Sequence, residues 1–499
     1  MTGKQNAALE SHGVRYHTIA SADKLLTEQG HKKGSPYRVG AVGFDSMTIR
    51  QGLGFEFRDC DFLGIDPSVK FLTVQHTFRR LAKGLAGGDT DDMDESSRNH
   101  TFMEQAESIA KHHLVVKWTQ IDPVHNCKMS FNVASISVAD MTPKLLVDLL
   151  HSVKLALHVK DFRCVSECGD GATENITYFE GVTSVSIKQY LPKDILAEEK
   201  YKGIIIDDKF QVEIDPVTHD PIIVLEDMPH IVKRVGNTVD YSSDEKHSRD
   251  LRWGEHQPIN MNMIKQIHET YGENGLNLQP TALTMAHFIK DAASRMKVRL
   301  TVQLFGERVH WLLEKSCTKD NEDKDTWPTK LHYTQYKMLM KFILMIDRFV
   351  DLINGRDKNK GPNNYTRYWT PDNAREIQRE LLDFLKDLWD FKQKAPAPCN
   401  FFADQTWNGL QRTILGYVAM IEYYVVGQKM SISPRSTLTD ALEHHFSSLR
   451  SNFGSTNSGT SQMCESLDSR SDMFALAKSS QKGNNASAPA LFERNIKNW

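Results

Sequence analysis

The order of strand-type and helix-type segments is the feature that most limits which folds this 499-residue chain can adopt. Up to about residue 240, short β-branched and aromatic runs alternate with amphipathic stretches, and beyond that point the pattern is mostly helical. Strands joined by helices favour an α/β layer, whose strand ends can gather side chains at one edge. A helical block between the strand-type run at 221–225 and a last helix at 439–450 would then be a large insertion in that layer.

The expected elements follow from apolar periodicity and from turn residues. Strands are predicted at 37–44, 53–57, 114–118, 131–136, 162–168, 203–206 and 221–225. Helices are predicted at 142–159, from near Thr173, after residue 226, and in the helical block at 258–270, 284–315, 333–354, 371–393 and 405–428.

Three remaining stretches are expected to lie outside the packed elements. Residues 1–35 are a polar lead-in, partly disordered, with a short amphipathic piece at 22–29. The acidic, Gly-rich stretch 87–97 predicts a solvated loop. From residue 451 to 499 the composition is rich in Ser and Asn, which predicts a disordered tail.

Charge and cysteine content limit the class of protein. Lys and Arg number 61 against 64 Asp and Glu, giving a net charge of −3, so any contact with nucleic acid must come from local patches. No apolar run has the length of a membrane span, and residues 1–35 contain no signal-like apolar core. We therefore expect a soluble, intracellular protein without membrane contact. The 7 cysteines are too scattered for a disulfide framework, and Cys164 and Cys168 lack companions at zinc-site spacing.

Three acids far apart in the sequence are candidates for one site. Asp45 and Asp170 each follow a strand-type run, and Glu443 lies on the amphipathic helix at 439–450. Asp440, three residues before Glu443, lies near the same helix face. Two aspartates just past strand ends and a glutamate on a distant helix could together hold a divalent metal. That arrangement suits phosphoryl transfer at nucleic acid.

Six segments, taken in order, resemble motifs of the P element-type transposases, the group whose animal members often begin with a THAP zinc-finger domain. They are residues 42–50, 168–175, 225–237, 295–303, 351–356 and 440–450. Each is weak alone, but six in register form a strong signal. Ser46 stands where the family usually has an acid, and no THAP-like arrangement of cysteines and histidines occurs.

The resemblance implies an RNase H-like, retroviral integrase-type α/β domain interrupted by a large all-helical insertion. The first part of the catalytic domain would span 36–240, the GTP-binding-type insertion 241–436, and the final helix 437–450. Asp45, Asp170 and Glu443 match the family's catalytic triad. In such sites the acids hold two Mg²⁺ ions, or Mn²⁺, for DNA cleavage and strand transfer.

The resemblance also implies a nucleotide site. Asp351 and Asn354 match positions that lie at the guanine nucleotide in the family, and a carboxylate can accept hydrogen bonds from guanine N1–H and its exocyclic amine. The chain has no G-x-x-x-x-G-K-[ST] loop, so nucleotide binding depends on the resemblance. From the residues alone, Asp351 and Asn354 would be an exposed pair at a helix end. Asp440 would either assist the metal or nucleotide or stabilise its helix start by charge–dipole attraction.

His230 and Lys233 follow a strand end, where they would either contact DNA phosphates or serve a structural role. His444 and His445 are adjacent and diverge on a helix, so a zinc pair is not expected. Four aromatic residues of the helical block are predicted to form helix-packing core rather than a base-stacking platform: Tyr333, Tyr336, Phe342 and Phe349.

The expected function is therefore a nuclear DNA transposase that acts as a homo-oligomer on transposon ends and target DNA, with GTP as an assembly cofactor. The alternative is a domesticated, non-catalytic factor that binds DNA or protein, for which the missing THAP domain argues. A third reading is a GTP-dependent assembly module whose metal site is a remnant.

Overall fold

The computed structural model describes residues 13–49, 54–56, 61–63, 110–122, 129–205, 209–242, 249–256, 258–273, 283–288, 298–318, 331–355, 367–452, 464 and 468. The chain divides into two compact units. The first comprises residues 1–181, 214–220 and 439–499, and the second comprises 182–213 and 221–438. The predicted loop at 87–97 lies outside the described residues.

The strands are β1 (Val39–Thr48), β2 (Gly54–Glu56), β3 (Asp61–Leu63), β4 (His112–Gln120), β5 (Ser130–Val138), β6 (Arg163–Gly169), β7 (Thr183–Ser186), β8 (Lys209–Ile214), β9 (Pro221–Glu226), β10 (Cys317–Thr318) and β11 (Leu331–His332). The α-helices are α1 (Tyr16–Glu28), α2 (Pro143–Val159), α3 (Thr173–Gly181), α4 (Lys193–Ala197), α5 (Lys202–Ile205), α6 (Met228–Tyr241), α7 (Met261–Glu273), α8 (Val298–Leu304), α9 (Glu307–Ser316), α10 (Tyr333–Ile353), α11 (Ala374–Lys394), α12 (Asp404–Met420) and α13 (Asp440–Asn452). The predicted α/β class is confirmed, because the chain contains both strands and helices.

The sheet of the first unit has the strand order β5-β4-β1-β6. The β1–β4 and β4–β5 pairs are antiparallel, whereas β1 and β6 are parallel. Because β1 and β6 run in the same direction, their carboxyl ends lie at the same edge. The parallel pairing ends at Phe44 and Gly169, and Asp45 and Asp170 are the next residues of the two strands' chains.

Helices cover both faces of this sheet. On one face, the Phe44 ring meets the Tyr178 ring of α3 edge-on, with centroids 5.8 Å apart. On the other face, α13 contributes to one apolar cluster with β1 and β4, through Leu442, Phe446 and Leu449. Alternating residues of a strand point to opposite faces, so Phe44 belongs to the α3 face and its neighbour Asp45 to the α13 face.

The N-terminal helix is longer than the predicted amphipathic piece. It begins at Tyr16 and buries Ile19, Ala22 and Leu26, which follow helical spacing along one face. The Arg15 N–H donates to the Val133 carbonyl at 2.9 Å, which ties the start of the helix to β5. The described part of the lead-in, from residue 13, is thus packed onto the first unit.

The second unit contains the strands β9-β8-β7 in that order, with β7 and β8 antiparallel, and the helices α4–α12. Its core includes α10 and α11, where the Phe349 and Phe384 rings stack at 4.1 Å. Tyr336 and Phe342 are also buried, so the core prediction is confirmed for these two and Phe349. The Tyr333 side chain lies outside the described residues.

Several elements of this unit differ from the sequence prediction. The apolar run expected as a strand at 203–206 is helical in its described part, α5, because Tyr201 and Ile204 are buried on one side and Gly203 packs closely against Trp389. Short apolar runs do not distinguish a helical turn from a strand. Strands β7 and β8 were not predicted. Strand β9 and helix α6 belong to the second unit, and the predicted domain boundaries stay a prediction.

Candidate active site

Asp170 directly follows the end of β6 at Gly169, whereas Asp45 lies within β1, which continues to Thr48. The prediction that both aspartates lie just past strand ends is therefore wrong for Asp45, because β1 stays paired with β4 beyond its parallel pairing with β6. The last parallel pair of β1 and β6 is Phe44 with Gly169, and each aspartate follows its strand's member of that pair by one residue. Both aspartates are half-buried. The strand register thus places the backbones of these two acids next to each other, and their role in a common site stays a prediction.

Helix α13 lies on the same face of β1 as Asp45. A Cβ atom on Gly43 would lie 3.3 Å from Leu442 Cδ1, so the absent side chain gives the helix room to approach. Met47, two residues after Asp45, belongs to the apolar cluster that includes Leu442. Both neighbours of Asp45 on this strand face therefore adjoin α13. Glu443 directly follows Leu442 and is exposed at the surface.

Local hydrogen bonds fix the two aspartates. Asn175, on the first turns of α3, is buried and donates from Nδ2 to Asp170 Oδ1 at 2.6 Å. The Ala172 N–H donates to the same oxygen at 3.1 Å. Asp45 Oδ1 accepts from the Ser46 N–H at 2.7 Å. Asn175 belongs to the family-like segment 168–175, but sequence reasoning assigned it no role.

Across the described residues, no group of three or more His, Cys, Asp or Glu side chains is arranged so that it could hold a metal ion. The strands and the helix that carry the three acids thus pack together, whereas the side chains of the described residues form no complete set of metal ligands. In chemical type the residues do fit: carboxylate oxygens are the donors that Mg²⁺ and Mn²⁺ prefer.

Asp440 lies in the first turn of α13, one turn before Glu443. A negative charge at that position is favourable because of the helix dipole. Stabilisation of the helix start is thus one of the two roles predicted for Asp440, the other being assistance to the metal or nucleotide. Asp440 and Glu443 belong to the first unit, whereas Asp351 and Asn354 belong to the second.

His230 has a structural partner in the second unit. Its Nδ1 lies 2.6 Å from Oδ2 of Asp227, which is fully buried at the start of α6. One turn on, Arg234 pairs with the buried Glu226 carboxylate. Lys233, between these two, is half-buried. His230 thus makes a structural contact, and the DNA-contact role of His230 and Lys233 stays a prediction.

Asp351 and Asn354 lie at the C-terminal end of α10 and are half-buried rather than exposed. One turn earlier, Asp347 is held in an acidic environment. Burial raises the pKa of Asp347 to about 7, and the negative charges of Asp351 and Glu307 add to the effect. Such surroundings favour hydrogen-bond donors such as the N–H groups of a nucleobase and disfavour a phosphate.

Sequence reasoning missed a buried carboxylate beside α13. Asp468 is fully buried and accepts hydrogen bonds from His113 of β4 and His445 of α13. His444 is exposed, so the two adjacent histidines diverge as predicted. The Ser- and Asn-rich composition around Asp468 gave no signal of burial.

Together, the strands β5-β4-β1-β6 and the helices on both faces make the first unit an α/β layer with Asp45 and Asp170 on neighbouring parallel strands. Among solved structures, the Drosophila P element transposase strand transfer complex is similar, with a TM-score of 0.61 and 13% sequence identity over 93% of this chain and 81% of that chain. The likeness shows a shared P element-type fold. No family model matches the sequence, and no curated protein matches it.

None of the helices in the described part of the chain is long and apolar enough to cross a membrane.

Proposed function

We propose that this protein is a P element-type DNA transposase core, with an RNase H-like domain carrying Asp45, Asp170 and Glu443 as its catalytic acids. One observation carries the proposal. Asp45 and Asp170 directly follow the last parallel pair of β1 and β6, and the helix bearing Glu443 packs on the face of β1 to which Asp45 belongs. The elements that carry three acids remote in the sequence thus meet beside β1, in a chain whose fold is similar to that of a P element transposase complex.

The three carboxylates would hold Mg²⁺ or Mn²⁺, which at such a site supplies activation of the attacking oxygen and charge neutralisation at the phosphodiester. The chain's own residues set the positions of the acids. Asn175 holds one oxygen of Asp170, which leaves the other directed away from this amide, and the Ser46 N–H holds one oxygen of Asp45. Glu443 is exposed at the surface, where a DNA backbone can reach it.

DNA, as transposon ends and target, is the proposed substrate, and the nucleus is the proposed compartment. The net charge of −3 gives no general attraction to DNA, so binding requires local cations such as Lys233. A homo-oligomer is part of the proposal. Lys233→Ala is expected to weaken binding to all sequences equally and to reduce the salt dependence of binding by about one phosphate contact.

GTP is the proposed assembly cofactor, held by its guanine base at Asp351 and Asn354. The acidic surroundings of Asp347 and Glu307 support recognition of base N–H donors there. Asp440 stays a candidate for an assisting role or for helix stabilisation. Isothermal titration with GTP and ATP tests the proposal: GTP should bind and ATP should not. Asp351→Asn should abolish the preference for guanine, and absence of heat with GTP would remove the cofactor proposal.

Cleavage of labelled DNA tests the proposed enzyme directly. Wild-type protein should cut in the presence of Mg²⁺ or Mn²⁺, and Asp45→Asn, Asp170→Asn and Glu443→Gln should each be inactive. Matched controls are Asp148→Asn on the exposed face of α2 and His444→Gln on the exposed face of α13, both expected to retain activity. Equal cleavage by wild type and Asp170→Asn would overturn the assignment of the catalytic acids.

The second candidate is a domesticated factor that binds DNA or protein without catalysis. The lack, among the described residues, of three side chains arranged to hold a metal favours this alternative. A cellular excision reporter separates the two functions. A response to the wild-type protein that survives Glu443→Ala would support the non-catalytic factor, and loss of the response would support the transposase.

A further inference from the structure

The buried carboxylate of Asp468 joins helix α13 to strand β4 of the sheet. His113 Nε2 of β4 lies 2.9 Å from Asp468 Oδ2, and His445 Nε2 of α13 lies 2.6 Å from Asp468 Oδ1. Each carboxylate oxygen thus accepts from a histidine on a different element. Both histidines are buried, so these charge-assisted hydrogen bonds are shielded from water.

Further donors complete the environment of Asp468. The Ser135 hydroxyl of β5 donates to Asp468 Oδ2, and the guanidinium of Arg15, just before α1, lies 3.9 Å from the same oxygen. His113 Nδ1 is 3.1 Å from the Ser137 hydroxyl, which fixes the ring. Burial raises the pKa of Asp468, but the hydrogen bonds from the two histidines outweigh it and hold the pKa well below its usual range. The group is therefore an ionised carboxylate.

A second described residue of this part of the chain, Cys464, makes an independent apolar contact with α13. Cys464, four residues before Asp468, is fully buried in the cluster formed by Leu442, Phe446 and residues of β1 and β4. Both Cys464 and Asp468 are helical. Cys464 thus supplies an apolar contact and Asp468 an ionic contact to the buried side of α13.

We infer that Asp468 is a positioning residue for Glu443, fastening α13 to β4 through His445 and His113. His445 lies two residues after Glu443 on the same helix, and Leu442 beside Glu443 packs over Gly43. The position of Glu443 relative to β1 is thereby held at its C-terminal side by the Asp468 contact and at its N-terminal side by the Leu442 contact. The catalytic meaning of this inference depends on the proposed transposase function.

Histidine and carboxylate side chains are also common metal ligands, so the alternative for this cluster is a metal centre. Here the ring nitrogens lie at hydrogen-bond distance from the carboxylate oxygens, 2.6 and 2.9 Å, with the serines completing a network. Within the described residues, no group is arranged to hold a metal. The cluster is a hydrogen-bonded network that positions an element.

Hydrogen exchange of the full-length chain tests the fastening without any need for catalysis. In Asp468→Asn, the amides of α13 should exchange about 10- to 100-fold faster than in wild type, because charged hydrogen bonds to the helix are lost. The matched control is Asp23→Asn on α1, which removes the ion pair with the buried Arg38 and should leave exchange in α13 unchanged. If Asp468→Asn does not fold, His113→Gln, which keeps an amide donor, replaces it. Unchanged exchange in α13 of the folded variant would overturn the inference.

DNA cleavage then tests the positioning role. Asp468→Asn should lower kcat about 10- to 100-fold with little change in KM for DNA, whereas Asp23→Asn should leave kcat unchanged. Faster exchange in α13 with wild-type kcat would refute positioning. If wild-type protein cuts no DNA, the proposed function fails, while the exchange result still decides whether Asp468 fastens α13.

Discussion

Replacing Gly43 by larger residues tests whether the contact between β1 and α13 sets the activity. A Cβ at this position would lie 3.3 Å from Leu442 Cδ1 and 4.0 Å from Thr439 Cγ2. Since carbon atoms pack at about 3.5–4.0 Å, Gly43→Ala requires a shift of a few tenths of an ångström. Gly43→Val adds two methyl groups to the same space, so we expect α13 to move by about 1 Å.

Stability and activity should respond differently to this series. Alanine in a strand interior gains about 0.5–1 kcal/mol over glycine, which offsets mild crowding, so Gly43→Ala should change the free energy of unfolding by less than about 1 kcal/mol. Gly43→Val should cost about 1–3 kcal/mol through overpacking. Because a misplacement of 1 Å can cost about 100-fold in rate, we expect kcat to fall about 3- to 10-fold for Gly43→Ala and about 100-fold for Gly43→Val.

The assay is cleavage of labelled DNA at saturating Mg²⁺, with urea unfolding of each variant measured in parallel. Gly181→Ala is the control, because a Cβ at that position would meet nothing within 4 Å. It should match wild type in both measurements. A folded Gly43→Val protein with wild-type kcat would refute the reasoning that α13 must lie close to β1 for activity.

Three further predictions concern single side chains. Asn175→Ala removes the 2.6 Å hydrogen bond to Asp170 and should lower the cleavage rate about 10- to 100-fold in a folded protein; an unchanged rate would contradict this role. Gly355→Ala places a Cβ 2.1 Å from the backbone oxygen of Arg367, and urea unfolding should show a loss of about 2–3 kcal/mol, since a backbone atom cannot swing aside. Asp347 has a pKa of about 7 against an ordinary 3.8, so the folded state binds its proton more tightly and stability falls as pH rises from about 4 to 7. Asp347→Asn should therefore be more stable than wild type by about 1–2 kcal/mol at pH 8, after discounting for solvent screening, with a smaller difference at pH 5; equal stability at pH 8 would contradict the raised pKa.

The acid-bearing elements could be predicted because their signals are local. Asp45 and Asp170 end apolar runs that form β1 and β6, and the apolar spacing of Leu442, Phe446 and Leu449 marks α13. The family-like motifs then indicated which acids to group. The strand pairing that sets Asp45 beside Asp170 is not visible in periodicity, and it became evident only from the register of Phe44 with Gly169.

What escaped prediction depends on distant partners. Asp468 lies in a Ser-rich stretch, and one of its hydrogen-bond partners, His113, is 355 residues earlier in the sequence. A buried ion needs paired groups, which a local pattern cannot reveal. The helix α5 was mistaken for a strand for a similar reason, since the packing of Gly203 against Trp389 outweighs the preference of the isoleucines for strands.

The wide separation of the three acids also affects how the protein is made. Asp45 and Asp170 leave the ribosome first. Glu443 follows only after residues 182–438 have been synthesised, a stretch that includes the whole second unit. At about 5–20 residues per second, that interval lasts roughly tens of seconds. For this time the nascent polypeptide carries two of the three proposed acids, so a prematurely terminated product would lack the third acid of the proposed site.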